Sequence, residues 1–230
     1  MQKYLTVLVE AIKGTEKNFT SGSINRAIVF LSIPMILEMV MESLFALVDT
    51  IFVSRISTEA VATVGLTESV ITLVYSVGIG LSMAATAMVA RRVGEGDPEK
   101  AAVAGAQSIL IAVTFSVIIG LLGIYFAGDI LRLMGADEKV IATGTGYTRI
   151  LLGSNIVIML LFLLNGIFRG AGDASLAMRS LWVANILNII LDPLFIFGIG
   201  PFPELGVQGA AVATTIGRSI GVLYQLKLLF

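Results

Sequence analysis

Five acidic side chains fall inside long apolar stretches of this sequence: Glu38, Glu42, Asp49, Glu68 and Asp192. An ionisable group within a membrane-spanning helix costs about 2.5 to 3.5 kcal/mol on insertion scales, so each acid is a candidate for function. At about 100° per residue, Glu42 lies about 40° round from Glu38 and Asp49 about 20°, so the three share one stripe reaching about 16 Å along a helix. Asn188 and Asp192 stand four residues apart and face the same way, with Asn185 one turn earlier and about 60° off. Pro193 has no N–H and crowds the preceding turn, which frees a backbone carbonyl near Ile189 beside Asp192. Pro34 does the same before Glu38. Freed carbonyls, an amide oxygen and carboxylates suit a hard cation such as Na+, while a carboxylate held away from water suits a proton. The residues themselves leave both open. The structural alternatives are a headgroup-level vestibule for Glu38, Glu42 and Glu68, an interfacial position for Asp49, and an interhelical hydrogen bond from Asn188 and Asp192 worth about 0.6 kcal/mol.

Composition says what kind of element must hold these groups. Of 230 residues, 57% are hydrophobic before the 24 glycines are counted, only 13% are charged, and the mean hydropathy is +0.95. A soluble domain is about half apolar and about a quarter charged. The chain therefore reads as a membrane protein. A net charge of −1 leaves no basic footprint for nucleic acid. The absence of both His and Cys removes histidine bases, Ser-His and Cys-His nucleophiles, disulfides and ordinary zinc sites.

Six apolar runs, at 27–53, 62–90, 101–126, 140–168, 176–197 and 206–226, are long enough to span as helices, because hydrocarbon requires every backbone polar group to be paired within the protein. They are continuous and Leu/Ala/Ile-rich, unlike the alternating strands of a barrel. The expected fold is all-α: a six-transmembrane-helix bundle over 27–230, its helices joined by short polar turns. In the last helix Gly209, Ala213, Gly217 and Gly221 recur every four residues and form a groove for close packing, with Thr214 and Thr215 alongside. The near-repeat GEGD at 94–97 and GAGD at 170–173 reads as two tight turns, not as a nucleotide fingerprint.

Basic residues set the orientation. One side collects Lys3, Lys13, Lys17, Arg26, Arg91, Arg92, Lys100, Arg169, Arg179, Arg218 and Lys227, and the other Arg55, Arg132 and Lys139. Both termini are thus expected in the cytoplasm. Arg149 lies within the fourth helix and belongs to neither set. Residues 1–26, with Leu5, Val7, Leu8, Val9 and Ile12 interrupted by Lys3, Glu10 and Lys13, read as an amphipathic segment in the cytoplasmic interface rather than a cleaved signal, the alternative being a disordered tail.

The segments LSIPM at 31–35, LVDTIFVS at 47–54, NILNIILDPLFIFG at 185–198 and LGVQGAAVAT at 205–214 resemble the multidrug and toxic compound extrusion (MATE) transporters. The resemblance runs from about residue 24 to the end. It implies one lobe of a twelve-helix, two-lobed carrier in a prokaryotic inner membrane, exporting organic, often cationic compounds against an Na+ or H+ gradient, without other cofactors. It also implies a cation site at Asp49, Asn188, Asp192 and Thr214, and a helix-bending proline at Pro34. The partners it implies are lipid, small organic substrates and a second lobe, supplied by a longer chain or another protomer. Glu38, Glu42 and Glu68 stand outside the general family pattern and are candidates for the wall of a substrate cavity. The rival functions are a lipid-linked oligosaccharide flippase, expected to carry cationic residues in its cavity where only Arg149 is a clear case, a non-transporting membrane assembly subunit, and an intramembrane protease using paired acids.

Overall fold

The computed structural model describes residues 2–14, 19 and 23–229. Among these the regular elements are all helices: α1 (Gln2–Lys13), α2 (Ile24–Val53), α3 (Thr58–Gly94), α4 (Pro98–Leu133), α5 (Glu138–Gly153), α6 (Asn155–Gly170), α7 (Ala174–Phe197) and α8 (Val207–Leu229). Each turn stops one helix and starts the next with local chemistry. Gly96 and Gly172 take φ of +74° and +88°, which residues with a Cβ rarely adopt. The aspartates that follow cap the next helices: Asp97 accepts from the Lys100 N–H at 3.0 Å and Asp173 from the Leu176 N–H at 3.2 Å. The two Gly-x-Gly-Asp segments are therefore one device used twice.

The fourth apolar run is not one straight helix. It breaks at Ser154 into α5 and α6, bent by 41°. A Gly153-Ser154 pair is a common kink site. Here the Ser154 hydroxyl sits 2.7 Å from the Ile150 carbonyl and 2.9 Å from Thr215 Oγ1, while Asn155 Nδ2 donates to the Ser116 carbonyl at 3.0 Å. Polar side chains thus replace the interrupted backbone ladder. Counting this pair as one span, five stretches among the described residues are long and apolar enough to cross a membrane; α8, 23 residues long, is not among them, its apolar run being diluted by Gln208, Arg218, Gln225 and Lys227.

The outer surface is that of a protein solvated by lipid: Leu73 is 70% exposed, Leu110 68% and Leu223 64%. The interior runs along α6, α7 and α8. α2 packs against α7 and barely touches α3, so a cleft opens between α2 and α3. Helices α2 and α7 run on through Pro34 and Pro193. At the start of the chain, α1 is fastened by Arg179 of α7, which donates to the carbonyls of Ile12 at 3.1 Å and Lys13 at 2.8 Å. Of the expected amphipathic segment, residues 15–18 and 20–22 and the side chains of Lys3, Leu5 and Val7 lie outside the described residues.

The glycines of α8 face α7. A Cβ on Gly217 would come within 2.7 Å of the Ala184 carbonyl oxygen, and one on Gly221 within 3.0 Å of the Ala184 Cβ. This close approach brings Thr214 against Asn188. Gly217→Val should therefore lower stability by about 1–3 kcal/mol through overpacking, whereas Gly65→Ala, with open space around the new methyl, should hold or raise it. Melting of the detergent-solubilised variants checks this; equal midpoints would mean that α7 and α8 are not so close.

Candidate functional site

Helices α2 and α7 each contribute one deeply placed acid. Asp192 is fully buried and Asp49 is 8% exposed. On α7, helical spacing sets Asn188 one turn from Asp192, and the α8 groove brings Thr214 to it. The Asn188 amide then satisfies both neighbours: its nitrogen donates to Asp192 Oδ2 at 2.9 Å, and its oxygen accepts from the Thr214 hydroxyl and the Thr214 backbone N–H, each at 2.9 Å. Asp49 lies within electrostatic reach of Asp192, and its Oδ1 is buried without a partner. All four residues singled out for a cation site thus lie in one region.

Beside Asp49 is a cavity of about 10 Å³, walled by Asp49, Glu68, Tyr75, Tyr147, Thr214 and Arg218 among others. It has room for about one water-sized body. Asp192 and Asn188 are not on its wall. Carboxylate and hydroxyl oxygens make it a hard-cation environment, with two acids rather than three: among the described residues no cluster of three or more His, Cys, Asp or Glu could hold a metal. Glu68, also on its wall, is exposed. It shares this wall with Asp49 and is not on the wall that Glu38 and Glu42 line.

A second centre surrounds Glu42. Arg218, only 3% exposed, donates from Nη2 to Glu42 Oε1 at 3.0 Å and from Nη1 to the Tyr75 hydroxyl at 3.0 Å, with its guanidinium 5.5 Å from the Phe45 ring centroid. Asn185, the polar residue one turn before Asn188, donates to Glu42 Oε2 at 3.0 Å. This corrects the sequence reading on two counts. Arg218 does not belong with the loop charges, since it sits in mid-α8 inside the bundle. Arg149 is not a cavity cation: it is exposed and donates to the Ile124 carbonyl at 3.1 Å. The orientation count becomes ten against three and keeps its sign.

Glu38 forms the third centre. Asn165 of α6 donates to its Oε1 at 2.8 Å, and Gln225 of α8 donates to Asn165 Oδ1 at 2.5 Å, while Arg169 Nη1 lies 3.8 Å from Oε2. Glu38 and Glu42 both line a cavity of about 610 Å³ in the cleft between α2 and α3, with Arg169 on its wall and Met35, Met39 and Phe162 among the apolar remainder. Such a size and lining suit a small organic molecule. Asn165, Arg169, Arg218 and Gln225 were not picked out from the sequence. The available signal was depth: each lies in or at the edge of an apolar run, where a polar group is expensive.

The MatE family model matches residues 34–194, most of the chain. The chain belongs to the MatE family. As a MatE chain it is 32% identical over 194 residues to the "FAD transporter" of Shewanella oneidensis, and 31% identical over 198 residues to the "Probable multidrug resistance protein NorM" of Thermotoga maritima. These alignments cover 84% and 86% of this chain but 43% of each relative. Its fold matches a solved outward-facing multidrug resistance MATE family transporter of the MOP superfamily, with TM-score 0.84, 33% identity, 96% of this chain and 47% of that one. It matches equally a MOP superfamily transporter from Pyrococcus furiosus, whose description is that reversed binding-pocket polarity suggests a different function. This MatE chain therefore spans less than half the length of the relatives it matches. MATE family members are transporters, not enzymes.

The Glu38 centre makes a stability prediction. Asn165→Ala leaves the Glu38 carboxylate and the Gln225 amide each short of a buried partner, at about 1–3 kcal/mol per group. The variant should melt well below the parent in detergent; an unchanged midpoint would show that the three groups do not depend on one another.

Proposed function

We propose that this chain supplies the cation-binding lobe of a cation-coupled efflux antiporter. Asp49, Asn188, Asp192 and Thr214 hold the coupling ion, Na+ or H+, and organic, often cationic compounds enter the cavity lined by Glu38 and Glu42. The second lobe comes from a longer chain or from another protomer, and the protein sits in a prokaryotic inner membrane with both ends of this chain in the cytoplasm. The observation that carries the reading is the buried Asp49–Asp192 neighbourhood, with one Asp49 oxygen left without a partner at the edge of an ion-sized cavity. Relatives named as multidrug resistance and export proteins support the efflux part.

Transport follows from differential affinity. A cation between α2 and α7 removes the repulsion of two carboxylates that cannot both stay charged and unpaired out of water. It thereby favours whichever arrangement of α2 brings Asp49 closest to Asp192, and its release favours the other. Pro34 and Pro193 leave carbonyls at Phe30 and Ile189 without their usual N–H donors, which lowers the resistance of these helices to bending. Alternating access then couples cation entry to substrate exit.

The test is Asp192→Asn in the intact transporter. It should reach the membrane at normal levels yet abolish ethidium efflux driven by an imposed Na+ or H+ gradient, as ionophores do to the unmodified protein. Efflux at the unmodified rate from that variant would reject the assignment.

A further inference from the structure

The buried charge with no place in this scheme is Arg218. It stands one turn beyond Thr214 on α8 and lies between the two candidate sites. Its hydrogen bonds run to Glu42, on the wall of the large cavity, and to Tyr75; on the other side it shares the wall of the small cavity with Asp49 and Glu68. The rings of Phe45 and Tyr75, with centroids 5.5 and 5.7 Å away, flank the guanidinium and keep water from it. Its Nε is buried without a partner, and so is Asp49 Oδ1. The small cavity is thus left with one unused donor and one unused acceptor, while the positive charge is spent on Glu42.

We infer that Arg218 is a tethered cation through which the coupling ion and an organic cation exclude one another without sharing a site. The inference rests on the efflux reading above. One fixed positive charge serves three acids, two on one side and one on the other, in an interior where a charge without a partner is strongly disfavoured. An ion at Asp49 repels the guanidinium and so holds it on Glu42, where it cancels the negative charge that an organic cation needs. An organic cation at Glu42 displaces the guanidinium toward Asp49 and Glu68 and cancels the charge that the coupling ion needs. The exclusion is mutual, as linkage requires. Arg218 is then a positioning residue that, itself positive, ligates neither cation. The Glu38–Arg169 pair does not play this part, because neither of its members borders the small cavity.

The experiment measures tetraphenylphosphonium binding to the intact transporter in detergent, across Na+ at pH 8 with choline replacing Na+, and across pH 8 to 6 without Na+. In the unmodified protein, affinity should fall as the coupling cation rises. In Arg218→Gln, Glu42 is released, so affinity should tighten about tenfold and its dependence on the coupling cation should vanish; Arg218→Lys, which keeps the charge, should keep the dependence. Glu42→Gln adds a readout that survives if Arg218→Gln fails to fold. It should weaken coupling-cation binding several-fold, although Glu42 is not on that cavity's wall, because Arg218 turns toward Asp49. Full cation dependence in Arg218→Gln, or unchanged cation affinity in Glu42→Gln, would overturn the inference and leave the efflux reading standing. No competition in the unmodified protein would overturn both.

Discussion

A carboxylate far from water must find a positive charge, a proton or a set of hydrogen-bond donors, and this lobe is arranged around that constraint. Its α2 stripe and α7 bring four acids inward, and three of them are answered by polar side chains. Asp192 is met by Asn188 and, through it, by Thr214 of α8. Glu42 is met by Arg218 of α8 and Asn185 of α7. Glu38 is met by Asn165 of α6. Asp49 Oδ1 is buried without a partner, and so is Glu38 Oε2, but Glu38 has Asn165 on its other oxygen and Arg169 at 3.8 Å, whereas no hydrogen-bonding side chain among the described residues meets Asp49. The packing serves these pairings: the bare glycine face of α8 is what lets its polar residues reach α7.

These acids divide into two environments. Glu38 and Glu42 carry arginine partners and border a roomy, largely apolar cleft. Asp49 and Asp192 have no cation within hydrogen-bond reach, and Asp49 borders a space for a single small body. A large cleft with compensated charge and a small site with uncompensated charge differ in what they accept, and Arg218 is the group through which one feels the other. The outward faces of α2, α3 and α4 contribute apolar area and nothing to this chemistry.

Much of the arrangement was legible because a helix fixes direction as well as depth. Glu38, Glu42 and Asp49 share a stripe at helical period, and the structure turns that stripe inward, with Phe30, Pro34, Phe45 and Val53 on the same face. Asn188 and Asp192 face the same way for the same reason. The Gly209–Gly221 spacing showed where α8 would pack, but not that it would do so while carrying an arginine. Arg218 was misplaced because counting charges by side assumes that each basic residue lies near a helix end. Asn165 and Gln225 escaped notice because the cost of depth was weighed only for ionisable groups, and it is the chain from Gln225 through Asn165 to Glu38 that gives them meaning. The break at Ser154 is written as Gly153-Ser154, yet that pair bends a helix only where Thr215 and Ser116 of neighbouring helices take up the loose ends.

The central claim is that Asp49 and Asp192 act on one ion together. A double-mutant cycle on coupling-cation affinity, with Asp49→Asn and Asp192→Asn made singly and together in the intact transporter, measures this directly. If the two carboxylates share the ion, the double variant loses little more affinity than either single one. If the losses in log affinity simply add, the acids bind independently and the account fails.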